Sequence, residues 1–257
     1  MEQNKATGEM GKNEKEETFG LGDAFAFACQ RCGKCCQNRG DLIINPRDIF
    51  RLARFFGRSM EYIVDKYCDF TIGATSNVPI VRLKTVGKRN ACVFLDNKKC
   101  FVHKSKPFIC ALFPLGRDIP RTDGEIGEGE APAPAYILQP VKCGDSSQLN
   151  TVEEWLVDYD VHEEEEFFRL WMRAFRAVME FMGSVDEKEI GREQMGAIWQ
   201  VVFVYLYANY DVSLDFMTQF TGNTEGLNKH FAEIARVLGP AEPSEPSEPT
   251  DSLPPLV

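Results

Sequence analysis

At 257 residues and 44% hydrophobic, the chain can bury a core without disulfide staples, and its nine cysteines would leave at least one unpaired even in a full disulfide set. A net charge of −10 and a pI near 5.0 argue against nucleic acid or an anionic membrane as the main partner. No stretch reaches the roughly 18–20 uninterrupted apolar residues of a membrane span.

Residues 1–18 are polar and charged, with no apolar stretch of the secretory kind, and read as a disordered leader on a cytoplasmic chain. In a reducing cytosol, clustered cysteines bind metal more often than they form structural disulfides. The run CQRCGKCC then places Cys29, Cys32, Cys35 and Cys36 within eight residues.

Asn45 and Pro46 suit the cap and first position of a helix that runs through IFRLARFF and stops at Gly57. Ser59 caps a second helix, in which Met60, Ile63, Val64 and Tyr67 share a face. Cys68 extends that helix by one step, with no partner nearby, and reads as core packing. Short β-like runs follow at 79–84, 91–95 and 99–103, and the last two pair as a hairpin around Asp96 and Asn97. Residues 116–135, rich in Gly, Pro and acid, read as a long loop, and 136–140 as another extended piece.

From about 150 to 238 the pattern is helical throughout. Phe167, Trp171, Ala174, Phe175, Val178 and Met182 form an apolar stripe ending at Gly183. Residues 197–208 are apolar nearly all round, which predicts a central, buried helix. Leu227, Phe231, Ile234 and Leu238 mark one more amphipathic helix. The Pro/Ser/Glu-rich 239–257 reads as a disordered tail. The expected fold is α+β and predominantly helical: a small cysteine-rich metal-binding region (19–149) with a short β-hairpin, packed on a C-terminal helical bundle (150–238).

The chemistry lies in the thiols. Cys29-x2-Cys32 is a knuckle whose two-residue gap aims both sulfurs at one ion. Adding Cys35 reproduces the first three ligands of the bacterial ferredoxin run, with a fourth thiolate from elsewhere. Tetrahedral zinc could use the same knuckle with two distant cysteines. Gly33 relieves backbone crowding, and Lys34 offsets thiolate charge. Adjacent side chains diverge, so Cys36 is expected to reach a second ion, bridge two, or act as a redox or substrate-facing thiol. Cys92, Cys100 and Cys110 are the natural remote ligands, with Pro107 and Pro114 stiffening the turn around Cys110. Cys143 follows Pro140 at the Pro-x2-Cys spacing seen at Cys110. The basic residues at 82–89 and 98–106 read as a solvated face or as cations near the thiolates.

CxxCxxCC, DIFRLARFFG (48–57), CVFLDNKKCFVHKSKPFIC (92–110) and ALFPLG (111–116), in that order, resemble the YkgJ-type cysteine-cluster family, a zinc- or iron-chelating domain that includes flagellin lysine-N-methylases. The resemblance covers about residues 25–116. It implies Cys29, Cys32, Cys35, Cys36, Cys92, Cys100 and Cys110 as the cluster set, with Cys143 matching a later family cysteine. It departs from the family at His103, where Tyr is usual, and at Lys106, where Arg is usual. Lys106 keeps the charge without the bidentate hydrogen bonding. His103 reads as a residue beside the site rather than a ligand.

Other chemistry is thin. His162 precedes four acids at 163–166, which suit a helix start, and His230 lies on an amphipathic helix without partners. No GxGxxG, P-loop or GxSxG motif is present. The expectation is a cytoplasmic iron–sulfur protein of the 4Fe-4S type, redox-active or supporting a methylase-type enzyme. The alternatives are a zinc protein with a structural or partner-binding role and a metal-handling protein. The partners expected are the metal ion or cluster and a further protein, not nucleic acid or membrane.

Overall fold

The computed structural model describes residues 18–238 apart from 75, 119–134, 142, 160, 162–163 and 186. The leader up to residue 17, the interior of the 116–135 loop, the 239–257 tail and His162 lie outside these residues. Strands β1 (Thr18–Phe19) and β2 (Ala24–Ala28) come first, and alternation along β2 buries Phe25 and Phe27. The cysteine run follows at once, closed by a tight 3-10 turn over Lys34–Cys36.

Helix α1 (Pro46–Phe56) starts as its sequence dictates. The Asn45 side chain accepts the Asp48 N–H at 2.8 Å, and the Asp48 carboxylate accepts the Asn45 N–H at 3.1 Å, a reciprocal capping box. Gly57 ends the helix at φ 59°. The Ser59 hydroxyl accepts the Tyr62 N–H and starts α2 (Met60–Tyr67). Ile49, Leu52, Ala53, Met60 and Ile63 are fully buried on the facing sides of the two helices.

Cys68 does not extend α2. It opens strand β3 (Cys68–Ile72), which pairs antiparallel with β4 (Pro79–Leu83) and sets Cys68 against Leu83. The pairing turns Cys68 into the main core, 5% exposed, so it packs in the core as expected but from a strand rather than a helix. The expected hairpin also divides in two. Thr85–Val86 (β5) pairs with Ala91–Cys92 (β6), and Leu95–Asp96 (β7) pairs with Lys99–Cys100 (β8). The second turn sits at Asn97 and Lys98, one residue beyond the expected position. Both have positive φ (46° and 64°), the geometry a two-residue hairpin requires.

Helix α3 (Phe108–Leu112) leads into β9 (Leu115–Asp118), which pairs with β10 (Ala135–Leu138), so both ends of the expected 116–135 loop are strand. β10 also pairs with β1, giving the order β1-β10-β9. β11 (Asp145–Thr151) pairs antiparallel with β2 and runs straight into α4 (Val152–Asp158) through a Thr151–Glu154 capping box. Three long helices complete the fold: α5 (Glu164–Ser184), α6 (Glu187–Phe203) and α7 (Phe216–Leu238). Phe167, Ala174, Val178 and Met182 are buried along α5, as the stripe predicts.

Residues 197–208 are not buried all round. Val204, just beyond α6, is 40% exposed to solvent. The continuation Val204–Ala208 is π-helical, and the wider turn directs three consecutive residues, Leu206, Tyr207 and Ala208, inward. His230 is not without partners either, since its Nδ1 lies 3.3 Å from the Tyr205 hydroxyl.

The fold is α+β, with short strands and long helices. Two hydrophobic clusters organise the described residues. The larger joins α1, α2, β3 and β4 to residues of α5, α6 and α7. The smaller joins β2, α3, β9, β10 and α4 around Phe25, Phe27, Tyr136 and Trp155. No helix among the described residues is long and apolar enough to cross a membrane.

Candidate metal centre

Each cysteine of the expected set reaches one cavity by a different backbone device. Strand β2 delivers Cys29 from its end. The register Asp145↔Ala28 between β11 and β2 carries Cys143 alongside Cys29 and Gln30, and the Gln30 amide donates to the Asp145 carboxylate at 2.7 Å. Gly144 makes the approach possible: at φ 71°, a Cβ there would meet the Phe27 ring and lie 2.8 Å from the Ala28 carbonyl oxygen.

Gly33 does the same for the knuckle. Its φ is 69°, and a Cβ would lie 2.7 Å from the Lys98 carbonyl oxygen, so the cysteine run packs its backbone on the β7–β8 turn. The Cys36 N–H donates to the Gly33 carbonyl at 3.2 Å and closes the turn. β6 presents Cys92 and β8 presents Cys100. Cys110 comes from α3, which is tied down twice: Asp48 accepts the Phe108 N–H at 2.6 Å, and Trp155 Nε1 donates to the Ala111 carbonyl at 3.0 Å.

The result is a cavity of about 60 Å³ where the two hydrophobic clusters meet. All eight expected cysteines line it (Cys29, Cys32, Cys35, Cys36, Cys92, Cys100, Cys110 and Cys143), and Cys68 does not. Phe27, Phe94, Val102, Phe113 and Trp155 make its apolar walls. Arg31, Arg39, His103, Lys106 and Tyr159 add cationic and polar groups, and among the described residues no carboxylate lines it. Trp155 and Tyr159 were missed in the sequence because α4 carries no motif. The available signal was their i, i+4 spacing just behind a T-x-x-E cap.

Cys35 and Cys36 do not diverge. Their sulfurs lie 3.9 Å apart at the end of the 3-10 turn over Lys34–Cys36. The Cys36 hydrogen bond and then burial hold the Cys35 thiol far above its ordinary pKa. Cys36 is pushed up to about 11, first by its hydrogen bond with Cys100 and then by burial. Cys100 is lowered by the same bond. Burial raises Cys110, helped by Cys92 and Cys36, and burial likewise raises Cys92. Cys143 rises to about 11 through burial and then the charges of Cys32, Cys35 and Cys29. A cation in this cavity would reverse these penalties, since mutual repulsion and desolvation are what disfavour the thiolates.

His103 is held down to about 4, chiefly by burial and then by Lys106 and Arg31, so it is neutral near pH 7. Lys106 stacks over the Tyr159 ring at 4.4 Å. Among the described residues, no three Cys, His, Asp or Glu side chains already converge as a ready ion site. The thiols ring the cavity instead. As a donor set they suit a soft, thiophilic metal: eight sulfurs and no carboxylate.

Residues 28–131 match the family model described as "CxxCxxCC: Putative zinc- or iron-chelating domain". This is the family the motifs resemble, and the match supports metal binding by this region. Over 109 residues the chain is 30% identical to "Uncharacterized protein MJ0661" of Methanocaldococcus jannaschii, covering 42% of this chain and 54% of that protein. The chain thus spans about half the length of this curated relative. No solved structure matches significantly.

Proposed function

We propose that the thiol-lined cavity binds an iron–sulfur cluster of the 4Fe-4S type, held by the CxxCxxCC cysteines together with downstream cysteines. One observation carries the reading: eight cysteines from separate segments of the chain line a single cavity that no carboxylate among the described residues enters. Three of them keep the C-x2-C-x2-C spacing of ferredoxin-type ligation. When bound, such a cluster supplies one-electron redox chemistry. The residues of this chain fix the ligands, exclude water with Phe27, Phe94 and Trp155, and place the positive charge of Lys106 beside Cys35 and Cys100. In this reading the region 19–149 is a metal-binding unit seated on the helices of 150–238, in a cytoplasmic protein that transfers electrons or supports a methylase-type enzyme.

Protein purified without oxygen is expected to be brown, with iron and acid-labile sulfide present together. A colourless protein with stoichiometric zinc and no sulfide would overturn the iron–sulfur reading and establish the zinc one.

A further inference from the structure

We propose that the cavity holds two four-thiolate centres side by side. Cys29, Cys32, Cys35 and Cys143 form one, Cys36, Cys92, Cys100 and Cys110 form the other, and they abut where Cys35 meets Cys36. The inference rests on reading the cavity as a metal centre, but not on which metal fills it. Its starting point is number: a tetrahedral zinc ion takes four thiolates, and so does a cubane cluster. Eight thiols lining one cavity are twice what one centre uses.

Backbone register divides them. The β2–β11 pairing carries Cys143 alongside Cys29 and Gln30, and Cys143 lies close enough to Cys32, Cys35 and Cys29 to feel their charge. The second four are set apart by packing: Cys92 lies in the main core with Cys36, Cys100 and Cys110 against it, whereas Cys29, Cys32, Cys35 and Cys143 belong to neither hydrophobic cluster. The charge of Cys35 reaches Cys92 across the junction. Within this group Cys36 feels Cys100 and Cys92, and Cys110 feels both Cys92 and Cys36. β6, β8 and α3 deliver the three remote members to one side of the cavity, under the main core, where Cys92 is buried.

The 3-10 turn at Lys34–Cys36 makes the junction. It ends one group on Cys35 and begins the other on Cys36, with 3.9 Å between the sulfurs. Two anionic centres this close require cations between or beside them. Lys106 acts on Cys35 and Cys100, which fall in different groups, and Arg39 acts on Cys92 and Cys110. On loading, each cysteine exchanges its S–H bond for an S–metal bond and releases the proton to solvent.

Native mass spectrometry of the anaerobically purified wild-type chain is expected to count two centres. Cys143→Ser and Cys35→Ser should each halve the metal and expose Cys29 and Cys32 to iodoacetamide, while Cys92, Cys100 and Cys110 stay protected. Cys100→Ser and Cys36→Ser should give the opposite pattern, so that neighbouring residues report opposite centres. One centre in the wild type, or loss of all metal in both Cys143→Ser and Cys100→Ser, overturns the partition. Two zinc ions lost one at a time would uphold it while removing the iron–sulfur reading. One iron–sulfur cluster per chain would do the reverse.

Discussion

Gly33 shows how much one residue decides at this site. A side chain there must adopt a left-handed backbone at φ 69° and also displace the Lys98 carbonyl 2.7 Å away. The backbone component alone costs on the order of 1–3 kcal/mol, so Gly33→Ala is expected to lower both denaturant resistance and metal content per chain. Gly22 has nothing within 4 Å of its notional Cβ and no positive φ, so Gly22→Ala should change neither measurably. Cys68 makes the complementary case. Burial pushes its thiol up to about 12, leaving a neutral apolar group in the main core and outside the cavity. Cys68→Ser should retain full metal by elemental analysis and lose roughly 1–3 kcal/mol of stability from an ill-matched buried hydroxyl.

At the scale of elements, α1 and α4 act as clamps on α3, and through it on Cys110. Asp48 is fully enclosed and uses its two carboxylate oxygens on the Asn45 and Phe108 N–H groups. Burial raises it from 3.8 to about 6 despite those hydrogen bonds. A carboxyl with a folded pKa above its unfolded value stabilises fully below about pH 4. That contribution is lost as pH rises through about 6, at roughly 1.4 kcal/mol for each pH unit between the two values. The stability difference between the wild type and Asp48→Asn should therefore move against the wild type from pH 4 to 6 and be flat above 7. An unchanged difference across that window in urea titrations would show that Asp48 does not titrate there. Trp155→Phe keeps the ring packing but orphans the buried Ala111 carbonyl. It should cost about 1–3 kcal/mol and speed alkylation of Cys110 relative to Cys29.

For the whole molecule, the two halves of the thiol set stand on different ground. Cys92 lies in the main core, with Cys36, Cys100 and Cys110 packed against it, so this side is continuous with the packing of α1, α2 and the long helices. Cys29 is exposed and Cys32 and Cys143 are half-buried, and none of the three belongs to either hydrophobic cluster. Losing a proposed ligand on the core side leaves uncompensated buried thiols, whereas losing one on the outer side leaves thiols that water can reach. Cys92→Ser is thus expected to lower Tm several degrees more than Cys29→Ser. Equal shifts by calorimetry would mean that the core does not distinguish the two sides.

Local chemistry wrote much of this protein directly into its sequence. Asn45, Pro46, Gly57 and Ser59 set the first two helices because capping needs only neighbours a few residues away, and the stripe on α5 follows from helical period alone. Thiol spacing likewise marked the residues that line the cavity. What depended on distant partners did not show. Cys68 became a strand residue because Leu83 pairs with it, and Ala91 and Cys92 left the expected hairpin for β5. Tyr159 and Trp155 joined the cavity only when β11 aligned with β2 and carried α4 beside α3. The side-by-side sulfurs of Cys35 and Cys36 depend on a turn held by Gly33 against the distant hairpin turn at Lys98. The sequence by itself determined the cluster of thiols and the helices. The tertiary structure alone decided which thiols face one another, because cross-strand register and backbone approach are set between segments that no local pattern links.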